Sequence, residues 1–276
     1  MKKIQIGVFL LFILNTLVIS SCSHYQSVLK STDLEYKYAE AKKYYEEEDY
    51  YRALTLFEEL ITIYKGTSKA EEVYYFYSMC NYGIGDNLLA SFHFSNFVQT
   101  FPHSKHAEEC AFLVAYCYYL DSPGPALDQT NTLRAIDQFQ LFANRYPESE
   151  KLEECNKLVD ELNFKLETKT FNQAKLYYHI EDYKAATIAF KNLLNDYPST
   201  KYKEECMYLS FKASYLYAKN SIEEKQLERY KATVKYCNSY LATYPEGENI
   251  KEAKKFLEAS LEEIKKNNNS TATIQK

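Results

Sequence analysis

Residues 186–198 read ATIAFKNLLNDYP, and Ala186, Phe190, Leu193 and Tyr197 fall at offsets 0, 4, 7 and 11 before Pro198. That spacing puts the four side chains on one face of a three-turn helix. Pro198 stops it, because the residue before a proline is pushed out of the α region. The same frame recurs at Ala53/Phe57/Leu60/Tyr64, Ala90/Phe94/Phe97/Phe101, Ala135/Phe139/Phe142/Tyr146 and Thr233/Cys237/Tyr240/Tyr244. A proline follows every copy but the first, which has Lys65-Gly66. Five copies in one register define a repeat protein.

Working outward, each frame is the second helix of an antiparallel pair. Asp33 to Glu47 predicts the first partner helix, with Leu34, Tyr38, Ala41 and Tyr45 on one side and Ser31, Thr32 or Asp33 as its cap. Ser68 and Glu71 have the spacing of a capping box, and Ser104 is placed to cap the third first-helix. Gly83-Ile84-Gly85-Asp86 is a turn between helices, not a phosphate loop, since no third glycine and no strand accompany it. Asp121 to Asn131, with Pro123, Gly124 and Pro125, is an inserted loop. Residues 150–179 carry no clear breaker and read as one long helix, or two with a kink near 167–170. Gly247 to Lys266 reads as a capping helix that covers the last repeat, and Asn267 to Lys276 as a disordered tail.

The end-marker aromatics Tyr64, Phe101, Tyr146, Tyr197 and Tyr244 are spaced 37, 45, 51 and 47 residues apart. The first spacing is close to the tetratricopeptide period of about 34 residues; the others require longer helices or insertions. The predicted fold is all-α: a right-handed superhelical solenoid of five tetratricopeptide-like helix pairs plus a C-terminal capping helix. The solenoid should span 33–266, with halves 33–146 and 149–266.

The N-terminus reads differently. Lys2 and Lys3 precede an apolar run from Ile4 to Ile19, then Ser20-Ser21-Cys22. A short basic-then-apolar stretch ending in small residues is a secretory signal peptide, here residues 1–21. The cysteine after the small pair makes Ile19 to Cys22 a lipobox, with Cys22 as the lipidated, palmitate-bearing residue. Residues 22–32 read as a polar tether, and the missing acidic run after Cys22 favours the periplasmic face of the outer membrane.

A formal net charge of −5 gives no basic face for nucleic acid. Cys110, Cys155 and Cys206 each lie nine residues after an end-marker aromatic, where the second unit has Val73. They are predicted to be small core residues, since equivalent positions on stacked helices stand about 8–10 Å apart between axes, too far for easy bridging. His103 and His106 lie three apart, but no ligand pattern accompanies them, so a solvated helix end is expected and no metal or cofactor is assigned. No arrangement of nucleophile, base or paired carboxylates identifies an enzyme.

The 28 tyrosines are more informative. If Ala41, Ser78 and Ala115 are the small residues at helix crossings, the concave side should show Tyr38, Lys42 and Tyr45, then Tyr75, Met79 and Tyr82, then Phe112, Tyr116 and Tyr119. Tyrosine supplies apolar area with a polar tip at low entropic cost, which suits a peptide groove. The competing reading is that several of these rings fill the core between repeats.

Lipobox, tether, five helix pairs, the turns Tyr146-Pro147-Glu148-Ser149 and Tyr197-Pro198-Ser199-Thr200, the Tyr36–Tyr64 first pair, the inserted loop and the long 150–179 helix together resemble the BamD (YfiO) family of outer-membrane assembly lipoproteins. The resemblance covers Cys22 to about Lys266. The missing proline after Tyr64 and the degenerate Thr233/Cys237 frame depart from the pattern. The resemblance implies a non-enzymatic subunit of the Bam complex, which folds and inserts β-barrel proteins. The N-terminal repeats, residues 34–120, would receive unfolded outer-membrane protein precursors. The C-terminal repeats, about 200–265, would dock a barrel-assembly subunit through a POTRA domain. The alternative is a periplasmic tetratricopeptide scaffold for envelope or cell-wall complexes. A carbohydrate-binding lipoprotein is disfavoured by length and by the absence of tryptophan.

Overall fold

The computed structural model describes residues 24–274, with side chains described to residue 268, so the signal peptide, the lipobox and Cys22 lie outside the described residues. Helices follow one another as α1 (Leu34–Glu46), α2 (Tyr50–Tyr64), α3 (Ala70–Gly83), α4 (Asn87–Thr100), α5 (Ala107–Leu120), α6 (Thr130–Arg145), α7 (Leu152–His179), α8 (Tyr183–Asp196), α9 (Lys203–Lys219), α10 (Glu223–Thr243) and α11 (Ile250–Ile274). No strand occurs among the described residues. The fold is all-α, as the repeat frame requires.

The frame is the core. Ala53, Phe57, Leu60, Ala90, Phe94, Phe97, Ala135, Phe139, Phe142, Ala186, Phe190, Leu193, Thr233, Cys237 and Tyr240 are all buried. The predicted crossing residues Ala41, Ser78 and Ala115 are buried too. The departure at Thr233 has a structural reason. Its hydroxyl lies 2.9 Å from that of Ser214 on α9, so two polar groups meet inside the pair and satisfy one another.

Both kinds of turn repeat. Where a proline follows, Phe101, Tyr146, Tyr197 and Tyr244 leave the helix with φ near −125° and ψ between 59° and 73°. Without it, α2 keeps Tyr64 helical and ends one residue later at Lys65, and Gly66 takes φ +80°. Three residues after each of the first four aromatics, a hydroxyl accepts from the backbone two residues on: Thr67 from Lys69 at 3.3 Å, Ser104 from His106 at 3.0 Å, Ser149 from Lys151 at 3.1 Å and Thr200 from Tyr202 at 3.0 Å. The capping box expected of Ser68 and Glu71 does not form. The helix starts after Lys69 with no side-chain cap, because Thr67, which also donates to the Tyr64 carbonyl at 2.7 Å, organises that turn. Ser104 likewise acts two residues upstream of the cap residue, His106.

Inside the pairs, Asp49, Asp86 and Asp182 cap α2, α4 and α8 by accepting from Arg52, Leu89 and Ala185. Each stands four residues before the alanine of its frame. The residue before each aspartate, Glu48, Gly85 or Glu181, has positive φ. Asp33 caps α1 by accepting from Tyr36 at 3.0 Å.

The chain divides into two compact units, residues up to 123 with 129–162, and 124–128 with 163 onward. The division falls inside α7, which is one continuous 28-residue helix. In the first unit, α1/α2, α3/α4 and α5/α6 pack in order, and Phe57 stacks on Phe76 at 5.6 Å between adjacent pairs. In the second, Phe171, Ala174, Ala186, Phe190 and Leu193 join the end of α7 to α8. Phe211, Cys237, Tyr240 and Ala253 join α9, α10 and α11.

Two terminal expectations are corrected. Residues 24–29, predicted as part of the tether, form a helical turn whose Val28 is fully buried in the first core cluster. The last helix runs through the predicted tail to Ile274. Of the insertion, Asp121 to Gln129 are outside helix, and Asn131 already belongs to α6. Ser122 and Thr132 hydroxyls meet at 2.7 Å, and Asn87 donates to Asp121 at 2.7 Å.

Candidate functional site

The first helices α1, α3 and α5 carry the predicted groove residues in three turns of matching register, and packing sorts them into two classes. Tyr75 and Phe112 are buried. Tyr38, Lys42, Tyr45, Met79, Tyr82, Tyr116 and Tyr119 are half-buried. Core packing thus accounts for Tyr75 and Phe112, while the other seven keep part of their surface open. Tyr75 is covered by the His106 ring, stacked at 3.9 Å, and donates to Glu109 at 3.0 Å. His106, expected as a solvated helix end, is therefore a packing residue that also faces Glu109 at 3.6 Å. Phe112 packs against Phe139 and Phe142 on α6, with Lys151 Nζ 4.4 Å from its ring centre.

The half-buried residues make a row of rings and charges. Lys42 Nζ lies 5.1 Å from the Phe76 ring centre and donates to Glu72 at 3.0 Å. Burial pushes the Glu72 carboxyl up, but the Tyr38 hydroxyl and the Lys42 ammonium beside it outweigh this and hold it below the usual range. Tyr45 sits edge-on to Phe76 at 5.0 Å, and burial pushes its phenol up to about 12. Tyr45, Met79 and Tyr82 line a depression of about 440 Å³ with Tyr50, Asn87 and Leu120. Tyr116 stacks on Phe112 and Tyr119. Tyr119 donates to Glu161 at 2.8 Å, a hydrogen bond that, with burial, raises its pKa. The row offers ring surface and one ammonium, which is already paired with Glu72.

Two further openings were not foreseen. Ser95, Val98, Val114, Gln138 and Leu141 border a groove between α4 and α6, with volumes of about 430 and 580 Å³ in two adjoining parts. Leu88, Phe92 and Leu141 stand more than half exposed along it. The signal was present in α4, where Leu88, Leu89 and Phe92 lie off the frame. A helix apolar on both sides has a second face to cover. In the second unit, Lys184, Ile188, Tyr217, Lys225, Arg229 and Tyr236 line a cavity of about 370 Å³. The Arg229 guanidinium there lies 4.0 Å over the Tyr217 ring.

The cysteines among the described residues are core residues. Cys80, Cys110, Cys117, Cys155, Cys206 and Cys237 are all buried with free thiols. Burial pushes Cys155 up to about 11, and Cys80, Cys117, Cys206 and Cys237 up to about 12. Buried, protonated thiols are inert as nucleophiles. Among the described residues no helix is long and apolar enough to cross a membrane.

Comparison with known proteins gives one assignment. Residues 31–228 match the family YfiO, described as an outer membrane lipoprotein. No curated protein matches the chain. Among solved structures, the TPR domain of P58(IPK) is similar at 12% identity and a TM-score of 0.41, covering 87% of this chain and 68% of that one. The TPR2AB domain of yeast Sti1 in its pHSP90 complex is similar at 10% identity and a TM-score of 0.38, covering 82% and 98%. At such TM-scores neither likeness bears on fold or partner. The family match alone spans well over half of the residues, and the chain belongs to the YfiO (BamD) family of outer membrane lipoproteins.

Proposed function

We propose that this protein is a non-enzymatic subunit of the outer-membrane β-barrel assembly machinery, anchored through acylated Cys22 and facing the periplasm. The family match over residues 31–228 carries the reading. In this role the α1, α3 and α5 row of Tyr38, Lys42, Tyr45, Met79, Tyr82, Tyr116 and Tyr119 receives extended segments of unfolded outer-membrane protein precursors. Half-buried tyrosines suit that task, because the open part of each ring gives contact area at low entropic cost. Residues of about 200–265 dock the barrel subunit that bears POTRA domains. The aromatic and cationic cavity around Tyr217, Arg229 and Tyr236 supports a protein contact there.

The decisive experiment is depletion. Outer-membrane β-barrels should fall in abundance while other lipoproteins persist. Normal barrel levels with failing cell-wall synthesis would instead assign the protein to an envelope scaffold. Photocrosslinking from Tyr45 and Tyr116 should capture nascent barrel segments, and no capture from either would remove the row from the mechanism.

A further inference from the structure

The chain is pinned to its first helix pair from the first described residue onward. His24 Nε2 lies 2.8 Å from Glu40 Oε2 on α1. Tyr25 packs edge-on against Tyr44 at 5.7 Å, with the Arg52 guanidinium 5.4 Å from its ring centre. Val28 is fully buried. The Leu29 carbonyl accepts from Lys37 Nζ at 3.0 Å, and Lys37, only 2% exposed, also donates to both carboxylate oxygens of Glu59 at 2.7 and 2.8 Å. Ser31 Oγ then accepts from the Asp33 backbone at 3.1 Å, leading directly into α1. A free tether would make none of these contacts.

Only Ser23 separates Cys22 from His24. Two residue steps reach about 7 Å at full extension, while the headgroup layer on each side of a bilayer is about 5–8 Å deep. A lipid on Cys22 therefore brings His24 out at the outer edge of the headgroups, with α1 beside it. Tyr36, Glu40 and Lys43 form the α1 stripe around the His24 contact, spaced 4 and 3 apart. Tyr36 and Lys43 are exposed, and both are side chains that set an apolar body against lipid with a polar end in water.

We infer that the α1 stripe Tyr36–Glu40–Lys43 is a membrane-contacting surface, held on the phospholipid headgroups by the docked 24–29 turn, so that the first repeat lies against the membrane instead of hanging below it. The inference rests on lipidation of Cys22 and adds the orientation and contact surface of the domain.

The chain has no tryptophan, so a single introduced indole is a clean reporter. Full-length lipidated Tyr36→Trp and Leu141→Trp proteins are reconstituted in phosphatidylethanolamine and phosphatidylglycerol vesicles that carry a headgroup nitroxide lipid. Quenching should be several-fold stronger for Tyr36→Trp, with Lys43→Trp as a second reporter. A flexible Gly/Ser insertion of about twelve residues between Ser23 and His24 adds a reach of roughly 20 Å and should abolish the difference. Equal quenching of both reporters without the insertion, or no change on inserting it, overturns the surface. Flotation of the Cys22→Ser protein is scored separately. If it floats like the parent, the lipid reading itself fails and takes the surface with it, a result distinguishable from failure of the surface alone.

Discussion

Tyr240 on α10 donates its hydroxyl hydrogen to Glu204 Oε1 on α9 at 2.9 Å, and the pair closes over Gly247 in the turn that follows. A Cβ at residue 247 would come within 2.6 Å of that Glu204 oxygen and 2.8 Å of the Tyr240 hydroxyl. The fifth turn thus keeps the backbone pattern of the other four, with Gly247 N–H donating to Tyr244 at 3.1 Å, but gives up their Ser or Thr for room. Gly247→Ala should destabilise the protein by about 1–3 kcal/mol, since overpacking also costs the hydrogen bond. A urea titration followed by circular dichroism measures it, and an unchanged midpoint would refute the close approach.

The turns inside the helix pairs offer the opposite test. Glu48 and Glu181 occupy the left-handed position that Gly85 fills in the second pair, with φ of 58° and 64°. A side chain there costs roughly 1 kcal/mol relative to glycine. Glu48→Gly and Glu181→Gly should each leave stability unchanged or raise it by up to about 1 kcal/mol, although glycine elsewhere is destabilising. A loss of more than that in thermal melts would contradict the assigned backbone.

Alkaline pH should unfold this protein. Burial raises the pKa of Cys80, Cys117, Cys206 and Cys237 from 9.0 to about 12, and of Cys155 to about 11. These groups stay protonated in the folded chain while the unfolded chain ionises above pH 9, so stability is intact below that value and falls between pH 9 and 12. Melting temperatures at pH 7 and pH 10 in reductant compare the two regimes. Serine at Cys80 and Cys237 tests the cause, as each substitution should flatten the alkaline slope while lowering stability at pH 7.

Acid acts through the inter-helix ion pairs. Burial raises the Glu252 carboxyl, but hydrogen bonds from Tyr208 and Lys212 on α9 more than offset this and leave it below its ordinary 4.5. A depressed carboxyl stabilises above its unfolded value, and that contribution is lost as pH falls through the folded one. The α11 cap should therefore loosen below about pH 4.5. Hydrogen exchange in α11 reports it, and Glu252→Gln should show the loosening already at neutral pH.

Lys37 supplies the last test. Its ammonium is buried and held by Glu59 and the Leu29 carbonyl. Glu59→Ala leaves it without its carboxylate and should cost about 1–3 kcal/mol, whereas Lys37→Met with Glu59→Gln should recover part of the loss. A double-mutant cycle with no coupling would mean the pair contributes nothing.

The helices, their ends and most of their cores were legible in the amino-acid order, because period and punctuation are local. Phe190 and Leu193 declare one face by spacing alone, and Pro198 forces Tyr197 out of the helix whatever lies nearby. The aspartate caps are equally local, four residues before Ala53, Ala90 and Ala186, although Asp86 by sequence reads only as part of the Gly83–Asp86 turn. Other features depended on neighbours distant in the chain. Tyr38 and Tyr75 occupy equivalent positions in their helix pairs, yet the His106 ring stacks on Tyr75, which is buried, while Tyr38 stays half-buried. Residues 24–29 look polar until Lys37 and Glu59, eight and thirty residues on from Leu29, fix the turn in place. Sequence by itself thus determined the repeat, its register and its family. The tertiary structure decided which aromatics face solvent and where the N-terminal segment docks, because burial is a property of what packs opposite a side chain and not of the helix that carries it.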